Sequence, residues 1–333
     1  MKDSNRYVNQ IFISNMDAEY RCDYLVTAEI KALWNIQIQM SSAILEICKK
    51  YDLKIWAISG TMLGAVRHKG FIPWDDDIDF MMFREDYDKL VKIAPRELSK
   101  PYSFQCAYTE EGYYRGHAQV RYDNTTMILP SEGVLGFTFH QGIFIDIFVA
   151  DGLPEDKVEK DNLINTRNII LNYLWCRKYW RKKYLSLSNL IQFYKCKKKL
   201  GEMAQWDDVK LYSYLEDLFR AHSVSNCKYS CALLFGYLPR WVRITEMFDE
   251  TIWVPFENVL FPIPARYDEI LKIEYGDYME FVKGTSYHGH IILNTETSYI
   301  KYLPKLKRNF FKMTYYFVRS SIGEIFRKLK LRN

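Results

Sequence analysis

Four carboxylates, Asp75, Asp76, Asp77 and Asp79, crowd the stretch FIPWDDDIDF between Phe71 and Phe80. Strands disfavour Asp and neighbouring anions repel, so the cluster needs a compensating charge. Side chains alternate along an extended chain. That would put Asp75, Asp77 and Asp79 on one face at intervals of about 6.6 Å, with Asp76 turned away. Carboxylates held so close raise one another's pKa unless a cation neutralises them, and hard oxygen ligands select Mg2+ or Mn2+. The spacing also fits the first three ligand positions of a calcium loop. Such a loop needs Gly at its sixth position and Glu at its twelfth, where this chain has Phe80 and Asp86. The calcium reading fails. A solvated acidic turn is the plainer alternative, and two features weigh against it. The acids run directly into Ile78, Phe80, Met81 and Met82, and a further acid, Asp146, lies inside the apolar run GIFIDIFV of residues 142–149. A lone Asp among apolar neighbours is expensive to bury unless it is paired or metal-bound. A neighbouring strand carrying Asp146 would bring it beside Asp77 and Asp79.

The elements that must position these acids can be read on either side. Residues 54–59, KIWAIS, form a buried strand that ends at Gly60 and Thr61, where a helical turn begins. Glycine lets the backbone approach a phosphate, and the N–H groups of a helix N-terminus bind anions. A strand–Gly–Thr–helix turn followed by an Asp-x-Asp strand (77–83), with a third Asp on another strand, is the layout of a nucleotidyltransferase-type fold. The expected class is α/β (α+β), a mixed sheet flanked by helices. Apolar spacing predicts one long helix, or two abutting, over residues 17–50, and a second amphipathic helix over 85–98. Residues 102–108 and 116–122 read as antiparallel strands. From 155 to about 222 the chain is helical, basic and rich in Trp and Tyr; residues 228–264 return to short β-type runs, and 267–273 are helical. The expected organisation is a catalytic domain at 17–292, with a helical insertion at 155–225 and a basic tail at 295–333. No internal repeat or low-complexity segment interrupts it.

Of the 333 residues, 48% are apolar, which excludes wholesale disorder. The net charge of +5 is mild, but basic residues concentrate in RKYWRKK (177–183), KCKKK (195–199) and the last thirty positions. Such patches suit anionic partners; a solvated helix face is the plainer reading of each. Seven scattered cysteines without a CxxC pair point to a reducing compartment. His222, Cys227 and Cys231 lie close in sequence but lack a fourth ligand for a soft metal. The first residues lack the apolar core of a signal peptide, and no run approaches the ~20 apolar residues of a spanning helix. The expected location is cytoplasmic. Residues 303–331 mix Lys and Arg with Phe, Tyr and Ile, which suits either an interfacial helix on anionic lipid or a helix capping the domain.

The stretch SGTMLGAVRHKGFIPWDDDIDF (59–80) resembles the signature of the LicD family, which includes bacterial phosphocholine transferases and has eukaryotic fukutin-type relatives. VRYDNTT (120–126), GIFIDIFVADGLP (142–154) and YGDYM (275–279) are similar to its downstream elements. The likeness spans residues 47–154 and 228 to about 290; the helical insert and the tail receive no support from it. It implies a transferase that moves a phosphorylated alcohol, most commonly phosphocholine, from a CDP-alcohol such as CDP-choline to a hydroxyl of a glycan or lipid-linked glycan. CMP leaves, and nucleic acid has no part. With phosphoryl transfer resting on positioning and charge neutralisation, Asp77 and Asp79 are expected to hold Mg2+ (or Mn2+), with Asp75 an outer or third ligand. Asp146 would complete the metal site or take the acceptor's proton. Gly60 and Thr61 would contact the diphosphate, and Arg67, Lys69 and Arg121 are candidates to clamp it. Trp74 would stack on cytosine, face a choline ammonium or anchor its loop beside His68. His288 and His290 are expected on the acceptor side or exposed; Asp151 and Asp277 would hold loops. Two rivals stand beside this reading. One is nucleotidyl transfer from a triphosphate. The other is a non-enzymatic basic protein that binds membrane or nucleic acid.

Overall fold

The computed structural model describes residues 4–129, 137, 139–179, 187–282 and 291–304. Near the N-terminus the expected helix is replaced by a hairpin, β1 (Glu19–Arg21) and β2 (Tyr24–Val26). Its two turn residues, Cys22 and Asp23, take φ of 51° and 56°, the left-handed pair that a two-residue hairpin turn requires. Neither is Gly or Asn, so the turn leaves little trace in the sequence. The fully buried Lys31 ammonium meets Glu19 at 2.8 Å and ties the hairpin to the helix that follows. That helix, α1 (Ala28–Lys50), starts where the Thr27 hydroxyl accepts from the Ile30 N–H, an N-cap of the usual kind.

Next come β3 (Trp56–Ala57), α2 (Ser59–Arg67), β4 (Asp79–Phe83), α3 (Arg84–Glu97), β5 (Tyr102–Gln105), β6 (His117–Tyr122) and β7 (Thr126–Ile128). The central strand is β8 (Phe144–Leu153), buried along almost its whole length. β4 runs parallel to it from the Asp79–Asp146 pair to the Phe83–Ala150 pair. β6 runs antiparallel to it from the Arg121–Phe144 pair to the His117–Phe148 pair. Beyond that, Asp151, Gly152 and Leu153 pair with β9 (Tyr229–Cys231), which carries β8 past its expected end. With β3, β5 and β10 (Arg243–Ile244) this makes a mixed sheet of seven strands. β5 and β6 pair antiparallel, as their sequence predicts. Only Trp56 and Ala57 of KIWAIS are strand, although the Ile58 N–H still bonds the Asp79 carbonyl.

Three helices follow β8: α4 (Lys157–Tyr179), α5 (Leu187–Leu200) and α6 (Asp208–Arg220). Their apolar faces, including Ile170 and Leu174 of α4 and Leu211 and Leu215 of α6, join the main core. Lys195, Lys197, Lys198 and Lys199 of α5 are exposed, a solvated face. The helices are fastened by a buried ion network. Arg84 donates from Nε and Nη2 to Asp151, both at 2.7 Å, and from Nη1 to Glu216 at 3.0 Å. The hairpin β11 (Thr251–Phe256) and β12 (Val259–Pro264), helix α7 (Tyr267–Tyr275) and β13 (Ile292–Asn294), which pairs with β7, complete the fold.

All seven cysteines are free thiols. Among the described residues no helix is long and apolar enough to cross a membrane. The basic stretch from residue 305 onward, His288 and His290 lie outside the described residues.

Candidate active site

The site is built around the register of β4 on β8. Asp79 and Asp146 are direct partners in this parallel pair, so their side chains leave the same face of the sheet. The Asp79 N–H donates to the Thr61 hydroxyl at 2.9 Å, and the Asp146 N–H to the Ile78 carbonyl at 2.9 Å. Both backbones are held where the acids emerge.

On its other side Asp146 faces Gln119 of β6. The Gln119 amide donates to Asp146 Oδ1 at 2.6 Å, and His117 Nε2 stands 3.1 Å from the same oxygen. Behind them Arg121, 1% exposed, donates to Gln119, to Gln105 at 2.8 Å and to the Gly142 carbonyl at 2.7 Å. Burial pushes this guanidinium down to about 10. Arg121 is therefore misassigned as a diphosphate clamp: its donors are engaged inside the sheet, where it positions Gln119. His117, Gln119 and Arg121 alternate onto one face of β6. That HxQxR alternation was the available signal for His117 and Gln119, which the sequence reading missed because both look like ordinary strand residues.

The remaining acids gather by a turn, not by strand alternation, because β4 begins only at Asp79. One carboxylate oxygen from each of Asp75, Asp76 and Asp77 lies within 4.8 Å of the others. Asp76, expected to turn away, is part of this group and 5% exposed. Side chains of α1 pin the turn: Trp34 Nε1 donates to the Asp75 carbonyl at 2.9 Å, and Gln37 Nε2 to the Asp76 carbonyl at 2.8 Å. Burial first, then the charges of Asp77 and Asp76, hold the Asp75 carboxyl well above the usual range. Gly60 makes room for it. A Cβ at that position would stand 2.9 Å from Asp75 Oδ2.

Glu274 and Tyr275 close another edge. Ser59, at a left-handed φ of 48°, bonds Glu274 at 3.3 Å, and Arg243 pairs with the same carboxylate. Burial pushes the Tyr275 phenol up, and the charges of Glu274, Asp79 and Asp75 push it further. Arg240 bears on both Glu274 and Tyr275. No local pattern in the sequence marks Glu274, Arg240 or Arg243.

The loop candidates are more dispersed. Arg67 donates to the carbonyls of Tyr278 at 2.7 Å and Glu280 at 3.1 Å and lies over Phe281. Lys69 is exposed, its ammonium on the Val66 carbonyl at 3.1 Å. Trp74 is half-buried, edge-on to Tyr24 at 5.9 Å and to His68 at 6.5 Å. Burial, then Arg67 and Arg21, push His68 down to about 4. Cys227 packs against Gly152, and Cys231 is buried in β9. Among the described residues the group with metal-ligand spacing is the three consecutive aspartates, not the His222–Cys227–Cys231 set.

A glycine turn opening a helix, an acidic turn running into a strand and a third acid on the parallel neighbour define a nucleotidyltransferase-type catalytic fold. Comparison with known proteins narrows the class. Residues 52–168 match the nucleotidyltransferase domain described as LicD/FKTN/FKRP. The chain is 30% identical over 237 residues to the lipopolysaccharide cholinephosphotransferase LicD of Haemophilus influenzae, a match covering 70% of this chain and 85% of that one. An uncharacterised protein of Rickettsia prowazekii is 45% identical over 65 residues, 19% of this chain and 24% of its own. The chain belongs to the LicD family and is a transferase of that type.

Proposed function

We propose that this transferase moves a phosphorylated alcohol, phosphocholine in the first instance, from a CDP-alcohol to a hydroxyl of a lipopolysaccharide-type glycan, releasing CMP. The observation that carries this reading is the direct pairing of Asp79 with Asp146 beside the Asp75–Asp76–Asp77 turn, in a chain similar to a lipopolysaccharide cholinephosphotransferase. The donor set fits a hard divalent cation. It is all carboxylate oxygen, and Asp75 is burdened by its own acidic neighbours. Among the described residues the carboxylates with ligand spacing are those of Asp75, Asp76 and Asp77, and Asp79 and Asp146 lie outside that group. Asp77 with Asp75 or Asp76 would hold Mg2+ or Mn2+, with Asp79 and Asp146 on the neighbouring strands. Bound there, the ion would offset the charge of the diphosphate and of the departing CMP.

The chain's own residues do the rest. Gly60 leaves space for the Asp75 carboxylate, and the Thr61 hydroxyl fixes the start of β4. Asp146, held at Oδ1 by Gln119 and His117, would receive the proton of the acceptor hydroxyl or complete the metal site. Arg67 and Lys69 stay as candidates for the diphosphate.

The test is CMP release from CDP-choline in the presence of lipopolysaccharide and Mg2+. Asp79→Ala and Asp146→Ala should each lower the rate by at least about 100-fold with an unchanged circular dichroism spectrum. Activity retained in both would overturn the reading. Turnover of CTP without use of CDP-choline would favour nucleotidyl transfer instead.

A further inference from the structure

A cavity of about 430 Å3 opens between the chain entering β6 and helix α4, within the size range of small-ligand pockets. His117 lines it, and the same imidazole lies 3.1 Å from Asp146 Oδ1. The cavity is thus one ring away from a carboxylate of the active site. Its other walls include the aromatic side chains of Tyr114, Phe137, Trp175 and Phe235 and the amides of Asn168 and Asn172.

These walls are tied in place. Trp175 Nε1 donates to the Tyr114 carbonyl at 3.3 Å. Arg167 donates to the Leu234 carbonyl at 2.6 Å and to that of Phe235, and from Nη1 to the Asn168 side-chain oxygen at 2.7 Å.

The lining decides the ligand class. Aromatic faces beside amide groups suit a ring with apolar C–H faces and hydroxyl edges, which is a sugar. A choline ammonium suits it poorly. The guanidinium of Arg115 also borders the cavity and already lies over the ring of Phe137, another of its walls, at 6.0 Å. With Arg167 at the wall as well, a ligand cation would meet like charge and find the Phe137 face taken. Asn172 and Trp175 lie beyond residue 168, where the match to the family domain ends.

We infer that this cavity is the acceptor subsite and that it binds a sugar unit of the glycan to be modified, an inference that rests on the transfer reaction proposed above. The sugar would sit against Trp175 and the two asparagines, with its hydroxyl directed past His117 toward Asp146.

Two variants test it, Trp175→Ala and, because Trp175 also packs on Phe137 and Tyr179, the milder Asn172→Ala. In transfer assays the KM for delipidated lipopolysaccharide oligosaccharide should rise about 10-fold or more, the worth of one well-made polar contact, while the KM for CDP-choline stays within about twofold. A donor KM that shifts instead, or an acceptor KM unchanged in Asn172→Ala, overturns the assignment. Saturation-transfer NMR with the same oligosaccharide, without donor, separates the two readings. Binding to the wild type that weakens in Asn172→Ala sustains the subsite even if CDP-choline proves not to be a substrate. Equal binding in both proteins, or none to the wild type, overturns it.

Discussion

Strand β8 carries two buried acids five positions apart, Asp146 and Asp151, and they are treated oppositely. Asp151 receives two hydrogen bonds from one guanidinium, and Arg84 shares its third contact with Glu216. Arg220 adds a bond to Glu216 at 3.2 Å. There the negative charge is matched by arginines on α3 and α6. Asp146 instead pairs in register with another acid, Asp79, close to the acidic cluster, and its Oδ1 accepts from the Gln119 amide with His117 Nε2 3.1 Å away. A buried acid matched by a built-in cation fastens elements together. A buried acid set beside other acids keeps a capacity for an external cation or a proton.

The comparison can be broken at either end. Arg84→Met leaves Asp151 buried without its cation and Glu216 with the Arg220 cation, and should destabilise the fold by about 3–5 kcal/mol, measured by urea unfolding. The folded fraction should keep its KM for CDP-choline; a transfer defect larger than the stability loss would mean that this network also serves the reaction. Gly60→Ala acts on the other centre. The added methyl forces the Asp75 carboxylate aside and should lower kcat by about 10- to 100-fold with little change in melting temperature. Full activity would remove Asp75 from the working set. The smallest effect is expected from Asp75→Asn. In chelator at neutral pH it relieves a desolvated charge repelled by Asp77 and Asp76, so stability should rise by roughly 1 kcal/mol. Stabilisation by added Mg2+ should shrink at the same time. A fall in stability in chelator would show that the repulsion is already neutralised within the protein.

Much of the scaffold was legible because it rests on apolar periodicity. The runs that form β4, β6 and β8 are hydrophobic enough to declare themselves. An Asp inside IFIDIFV also had few places to go except beside another polar strand end. The bunching of Asp75, Asp76 and Asp77 was not legible, since a turn overrides alternation and its hydrogen bonds come from Trp34 and Gln37, far back in the chain. The hairpin at β1 and β2 was hidden for a related reason. Its left-handed turn uses Cys22 and Asp23, and side-chain identity there is a weak guide to φ. Arg121 shows the limit of reading charge as exposure. In sequence it looked like a phosphate ligand, and only the register of β6 on β8 reveals it as an interior donor.

The anchoring of the acidic turn to α1 bears on the speed of the enzyme. Because the Asp75 and Asp76 carbonyls are already engaged by Trp34 and Gln37, the nucleotide donor proposed above would meet a loop whose backbone entropy was surrendered when the chain folded. Capture of that donor would then be governed by encounter and charge, not by the slow ordering of a disordered strap.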